Sequence, residues 1–302
     1  MKYILCLVLS VLMFNCTYGQ GFYRGYRLIY SADNLIKKGE LQQAKDSLKL
    51  ALGILNEKAY TSKDLARIHI QLKDFGMAEN YLEQAISAGI DSDQLAADTI
   101  IKAYLASHQF QAKYVKNRRI YNARLLFPDE RLELAQMVER DQAARDLVGT
   151  ISRPRVDSII NRVDSVNAVE LKVIISRIGL PGYKEVGIDG VANFFVLVLH
   201  LTINGVDDES EMALLGPLMK AQVLKDNFSS IYYALLIDKY QFVKTKLQTY
   251  GTYWEFTPTN GKRVITPIYK ISEVDSRRRE IYLPPLKALE AGFVLPQEYF
   301  KQ

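Results

Sequence analysis

The sequence predicts a mainly α-helical protein, with helical hairpins first and a mostly helical region with one β-hairpin after them. Apolar residues and alanines recur at helical spacing from about residue 25 to 125, with an internal period of 34 residues. From residue 130 to 302, long apolar or amphipathic segments are separated by glycine and proline. Aromatic and β-branched residues on both sides of a Pro-Thr-Asn-Gly turn predict the hairpin, near 250–269.

Residues 1–19 are predicted to be a secretory signal peptide. Lys2 precedes an apolar stretch, which ends in a short polar segment and the small residue Gly19. We expect cleavage before Gln20 and a bacterial protein that is secreted or periplasmic. A lipoprotein anchored through Cys16 is the alternative, and it is disfavoured because the preceding residue, Asn15, is not small.

Composition argues against several classes of function. Both cysteines, Cys6 and Cys16, lie in the predicted signal, so the mature chain is expected to lack disulfides, thiolate nucleophiles and cysteine-ligated metals. Without Lys2 the chain has 38 basic and 34 acidic residues, a formal net charge of +4. We interpret the basic clusters at 113–119 and 277–279 as solvated helix faces, which argues against nucleic acid as a partner. No segment after the signal has the roughly 20 apolar residues of a transmembrane helix.

The region 25–125 repeats itself after 34 residues. The matched positions are Leu41, Ala44, Leu48 and Ala51, and then Phe75, Ala78, Leu82 and Ala85. Small residues at this period resemble the tetratricopeptide repeat, which implies stacked helix pairs that dock a protein or peptide partner. A packing platform for the second region is an equal alternative. A third unit keeps Ala112 in register but carries Lys116 and Arg119 at apolar positions, so we interpret it as a degenerate capping repeat.

Six helices are expected in the second region, including a short terminal helix after the Leu-Pro-Pro-Leu segment at 283–286. The first, at about 130–148, places Asp141 and Arg145 four residues apart on one face. The second is amphipathic and ends at Gly179, and the third is the apolar run 191–203 with His200 near its end. Helices at about 208–225 and 229–240 follow. Asp238 lies near the C-terminal end of the helix at 229–240, where the helix dipole disfavours an anion, so we expect Asp238 to have a partner.

The polar signatures of the second region resemble, in order, those of a bacterial family known as domain of unknown function 6624. The corresponding segments are Asp-Gln-x-x-Arg at 141–145, Asp-x-x-Asn at 164–167, Gly-x-Pro at 179–181, His200, Asp238, Gln-x-Tyr-Gly-Thr at 248–252, and 278–286 with its Leu-Pro-Pro-Leu. The resemblance implies a fold and a site, without a reaction. The sequence departs from the family pattern at Leu180, Leu199, Lys239 and Tyr253, which indicates a changed ligand or a weakened activity.

These signatures define the candidate site. The predicted ligand-binding residues are Asp141, Gln142, Arg145, Asn167, Gln248 and Tyr250. We expect a non-enzymatic binding protein with a pocket for a small polar ligand, because no complete nucleophile, base and orienting group is present. The alternative is a hydrolase-like enzyme in which His200 is the general base, oriented by Asp238. No metal-ligand spacing is found, and no cofactor is expected.

Overall fold

The computed structural model describes residues 21–56, 58–201, 208–256, 262–290 and 292–301. Over these residues the chain is mainly helical and carries one small antiparallel two-stranded sheet, which confirms the predicted fold class. The predicted signal peptide and the turn residues 258–261 lie outside the described residues. None of the described helices has the length and apolar character needed to cross a membrane.

The N-terminal helices are α1 (21–37), α2 (Leu41–Ile54), α3 (Ala59–Gln71), α4 (Phe75–Ser87), α5 (Ser92–Ala96), α6 (Thr99–Ser107) and α7 (Gln111–Arg124). Among them, α3 packs against α2, α4 and α6, while α4 also contacts α7 and α5 contacts α6. The repeat positions Ala44, Leu48 and Ala51 are fully buried, as are the residues 34 positions later. Small side chains at these positions allow the helices to pack closely. Three of the four positions that repeat after 34 residues are therefore positions at which α2 and α4 bury their side chains.

The third unit contacts the second through polar groups. Ala112 is exposed. Lys113 forms an ion pair with Glu79, and the Asn117 amide donates to Glu83 Oε2 at 3.2 Å. Each of these two contacts joins residues 34 positions apart. Polar contacts at the repeat register explain how helix α7 packs on α4 with few apolar residues.

The second region is built around three long helices and a shared apolar core. Its helices are α8 (Pro128–Arg145), α9 (Arg153–Ile178), α10 (Tyr183–Leu201), α11 (Asp208–Leu224), α12 (Ser230–Thr245) and α13 (Val274–Glu280). Pro128 begins α8, where a missing N–H costs nothing, and Gly179 ends α9 with a φ of 73°. Helix α8 packs against both α9 and α10, and Leu134, Phe194 and Phe228 are fully buried in the core.

Helix α10 begins eight residues earlier than the sequence predicts and is interrupted at Gly187, where φ is 75° and ψ is 178°. A Cβ atom at this position would lie 1.6 Å from the hydroxyl oxygen of Tyr121, so a glycine is required. The next turn carries Asp189, which accepts hydrogen bonds from Tyr121 and Arg131 at 2.7 and 2.8 Å. Burial alone would raise the pKa of Asp189, but these bonds and the charges of Arg131 and Arg118 outweigh it and lower the pKa. This contact ties α7 and α8 to α10.

The C-terminal elements are shorter than the sequence predicts. Strands β1 (Trp254–Phe256) and β2 (Arg263–Ile265) pair with Trp254 opposite Ile265. The Arg263 guanidinium lies 5.0 Å from the centre of the Trp254 ring. The predicted terminal helix is instead two 3-10 turns, Leu286–Leu289 and Gln297–Lys301.

Candidate functional site

A cluster of polar side chains lies where α8, α9 and α10 pack together. We call it the histidine cluster, and its members are Asp141, Gln142 and Arg145 of α8, Asp164 and Asn167 of α9, and His200 of α10. Each of these helices is amphipathic or apolar over most of its buried face, so the polar residues interrupt an otherwise hydrophobic junction. The structure thus joins four predicted site residues through contacts with one another, adds Asp164, and places Asn167 one helical turn from Asp164 on α9. The four are Asp141, Gln142, Arg145 and His200.

Asp141 is the centre of the histidine cluster. Its Oδ2 atom lies 2.8 Å from His200 Nδ1, and its Oδ1 atom accepts a hydrogen bond of 2.6 Å from Arg145 Nη1. The amide of Gln142 also donates to Oδ2, at 2.7 Å. Arg145 Nη2 reaches both oxygens of Asp164, at 3.0 and 3.2 Å. Arg145 therefore bridges two carboxylates, one on α8 and one on α9.

The histidine cluster is buried at its carboxylates and open at its basic groups. The side chains of Asp141 and Asp164 are 1% and 2% exposed, whereas those of His200 and Arg145 are 18% and 19% exposed. Buried carboxylates are costly unless they are paired and hydrogen-bonded, and here both are paired with Arg145. The imidazole edge and part of the guanidinium are the groups that solvent or a ligand reaches.

The contact with Asp141 fixes the tautomer of the neutral imidazole. Because a carboxylate only accepts hydrogen bonds, His200 Nδ1 carries the proton, and in the neutral ring Nε2 is then an acceptor and a base. Within the described part of the chain, no group is bonded to Nε2. Asn167 Nδ2 is likewise a buried donor with no partner among the described residues, and Oδ1 of the same side chain accepts from Arg140 at 2.8 Å.

Asp238, which the sequence analysis assigned to orient His200, lies in a different contact. Its Oδ1 atom accepts from the backbone N–H groups of Thr249 and Tyr250, each at 2.7 Å. Its Oδ2 atom accepts from the backbone N–H and the hydroxyl of Thr252, at 2.8 and 2.7 Å. Burial raises the pKa of Asp238, and these bonds oppose the rise. Four donors use the carboxylate fully, so its role is to hold the loop after α12, and Asp141 is the partner of His200.

Gln248 and Tyr250 also belong to this loop. The Gln248 side chain is fully buried; it accepts from the backbone N–H of Tyr253 at 2.8 Å and donates to the carbonyl of Thr266 at 2.7 Å. Tyr250 is buried beside Tyr233, and its carbonyl accepts from the buried guanidinium of Arg278 at 2.6 Å. These contacts fix the approach to the hairpin and leave none of these groups for a ligand.

Sequence reasoning did not include Asp164 among the site residues. Its position three residues before Asn167, within the Asp-x-x-Asn signature, was the available signal. Arg140, which holds Asn167, has no such signal. Across the part of the chain that the structure describes, no group of three or more His, Cys, Asp or Glu side chains is arranged to hold a metal ion.

The chain was also compared with known proteins. No curated protein and no solved structure matches it. The profile of one protein family matches residues 128–294, more than half of the 302-residue chain. This segment includes the whole histidine cluster and the loop held by Asp238. The chain therefore belongs to the family of unknown function DUF6624.

Proposed function

We propose that the protein is a secreted or periplasmic binding protein that holds a small polar ligand at the histidine cluster. In this proposal the N-terminal helices are tetratricopeptide-like repeats that dock a protein or peptide partner. The main support for the ligand site is the Asp141–His200 contact of 2.8 Å, because Nε2 of this partly exposed imidazole is then an acceptor with no bonded partner among the described residues. The buried alanines at a 34-residue period support the docking role.

The charges of the histidine cluster restrict the ligand. Arg145 is already bonded to Asp141 and Asp164, so its positive charge is balanced and an anionic ligand gains little from it. With a neutral imidazole, two carboxylates and one guanidinium leave the cluster with one net negative charge. A ligand that donates an O–H or N–H to His200 Nε2 matches this site better than a phosphate or a carboxylate does.

The same pair favours a hydrolase-like enzyme as a second candidate. An imidazole whose Nδ1–H is held by a buried carboxylate has the arrangement of a general base, which takes a proton at Nε2. In the described residues no serine, threonine or cysteine side chain is bonded to Nε2. The nucleophile in this candidate is therefore a water molecule, activated by His200 and oriented by Asp141 rather than by Asp238.

A comparison of two histidine variants tests the proposal. We would screen neutral polyols, sugars and amines by thermal shift at pH 7.5 with the wild-type protein, with His200→Gln and with His108→Gln. His108 is an exposed histidine of the N-terminal helices whose Nδ1 lies 2.8 Å from the Tyr104 carbonyl, so it controls for adventitious binding to imidazole. We expect a ligand that stabilises the wild type and His108→Gln but not His200→Gln.

Hydrolysis of 4-nitrophenyl acetate by the same three proteins separates the two candidates. The binding proposal predicts equal, background rates for all three. A rate that is kept in His108→Gln but lost in His200→Gln, and also lost in a fourth protein, Asp141→Asn, would establish the hydrolase instead. A ligand shift of the same size in His200→Gln and in wild type would contradict the ligand site.

A further inference from the structure

A separate cavity lies between the N-terminal helices and the second region. Its volume is about 330 Å³, and it is lined by α1, α3, the start of α10 and the start of α12. Since a water molecule occupies about 30 Å³, the cavity has room for roughly ten waters, or for one small organic molecule. No member of the histidine cluster lines it.

The walls of this cavity are rich in tyrosine. The five tyrosines that line it are Tyr26, Tyr30, Tyr60, Tyr183 and Tyr232. Two of the rings are held in place by partners outside the cavity. The Tyr26 hydroxyl donates to Asp226 Oδ1 at 2.8 Å, and the Tyr232 ring stacks on Phe195 with ring centres 4.3 Å apart. Aromatic faces carry partial negative charge, so a cavity lined by five tyrosines favours a cation.

Asp64 of α3 gives the cavity a negative charge without a bonded partner. Among the described residues, no group donates a hydrogen bond to its carboxylate, and burial raises its pKa to about 6. The charges of Arg67 and Lys63 on the same helix lower this pKa, and those of Asp33 and Asp98 on neighbouring segments raise it. The Nε atom of Arg67 lies 3.8 Å from Asp98, so Arg67 makes its ion pair there. Asp64 therefore remains available to a ligand.

Two hydroxyl groups in the cavity also lack partners. Thr61 on α3 and Ser230 on α12 are 2% and 6% exposed, and the oxygens of both side chains are buried without a hydrogen bond among the described residues. A buried hydroxyl without a partner is unfavourable, so such groups normally face water or a ligand. Because Thr61 belongs to the N-terminal helices and Ser230 to the second region, one molecule inside the cavity can bond to both regions of the protein.

We propose that this cavity binds a small alkylammonium ligand that carries a hydroxyl or another polar group. Asp64 supplies the counter-charge, the tyrosine rings surround the cation, and the hydroxyls of Thr61 and Ser230 bond the polar group. The ligand then bridges α3 and α12, and its binding joins the N-terminal helices to the second region. This site is independent of the histidine cluster, so either proposal can fail alone.

Calorimetric titration with choline tests the proposal. Its neutral isostere, 3,3-dimethylbutan-1-ol, has the same shape and hydroxyl group but no charge. At pH 7.5 we expect choline to bind the wild-type protein at least about tenfold more tightly than the isostere. Asp64→Asn should weaken choline binding by about tenfold or more, and Ser230→Ala should weaken it severalfold. Asp93→Asn, an exposed aspartate on α5, is the matched control and should bind choline as the wild type does.

Three results would overturn the proposal. If choline binds no more tightly than its neutral isostere, the cavity takes a neutral polyol and the charge has no role. Wild-type affinity in both Asp64→Asn and Ser230→Ala would place the choline elsewhere. The absence of binding by the folded wild-type protein would exclude an alkylammonium site. His200→Gln should leave choline affinity unchanged, which keeps this test separate from that of the histidine cluster.

Discussion

Replacement of Asp141 by asparagine should destabilise the protein more than any exposed charge change on the same helix. Asp141 is fully buried and accepts hydrogen bonds from Arg145, Gln142 and His200. An asparagine retains the shape and one acceptor, but it loses the negative charge and presents an amide N–H₂ group to donors. The substitution therefore removes the attraction to Arg145 and leaves at least one donor facing another donor.

The magnitude follows from the contacts. Breaking a buried ion pair by removing one partner costs about 3–5 kcal/mol. Arg145 keeps its bonds to Asp164 and is 19% exposed, so water replaces part of the lost interaction. We therefore expect Asp141→Asn to lower the free energy of unfolding by about 2–3 kcal/mol, within the range measured for lost hydrogen bonds to charged groups.

Urea unfolding at pH 7.5, followed by circular dichroism, measures this difference. The control is Asp146→Asn, which makes the same chemical change at an exposed residue just after the end of α8. An exposed substitution of this kind changes stability by less than about 0.5 kcal/mol. Equal stabilities of the two variants would refute the assignment of Asp141 as the centre of the histidine cluster.

Two further predictions concern other positions. Burial raises the pKa of Asp64 to about 6, so the folded protein loses stability as the pH rises from about 4 to 6. Asp64→Asn should therefore be more stable than the wild type by about 1–2 kcal/mol at pH 8 and show no gain at pH 4. Thermal melts between pH 4 and pH 8 measure this difference. Gly187→Ala should cost more than about 2 kcal/mol in urea unfolding, because φ is positive and the added methyl overlaps Tyr121. Gly53→Ala on α2 has open space and should be neutral or stabilising. Asp64→Asn would contradict the first prediction if its stability changed with pH as that of the wild type does. Equal effects of Gly187→Ala and Gly53→Ala would contradict the second.

Much of the helical architecture was predictable because local signals determine it. The end of α9 at Gly179 follows from a residue that adopts positive φ, and the start of α8 follows from Pro128. The Asp141–Arg145 ion pair follows from helical geometry alone, since residues four apart share a face. These features require no knowledge of how the helices pack.

The partner of His200 was not predictable from local signals. His200 and Asp141 are 59 residues apart, and their contact depends on how α10 packs against α8. The expectation that Asp238 has a partner is correct, but its partners are mainly backbone N–H groups. Every residue except proline has such a group, so the sequence does not indicate which ones Asp238 binds. The carboxylate that follows His200 in the order of signatures, Asp238, is therefore not the carboxylate that contacts the ring.

The most direct test of the histidine cluster is the protonation pattern of the His200 ring. Long-range ¹⁵N–¹H correlation spectra resolve the two nitrogens of each histidine, and His200→Gln identifies the signals of this one. For the neutral ring we predict a protonated Nδ1 and an unprotonated Nε2, with the preference reduced in Asp141→Asn. A neutral His200 with its proton on Nε2 would contradict both the Asp141–His200 hydrogen bond and the acceptor on which the proposed ligand site depends.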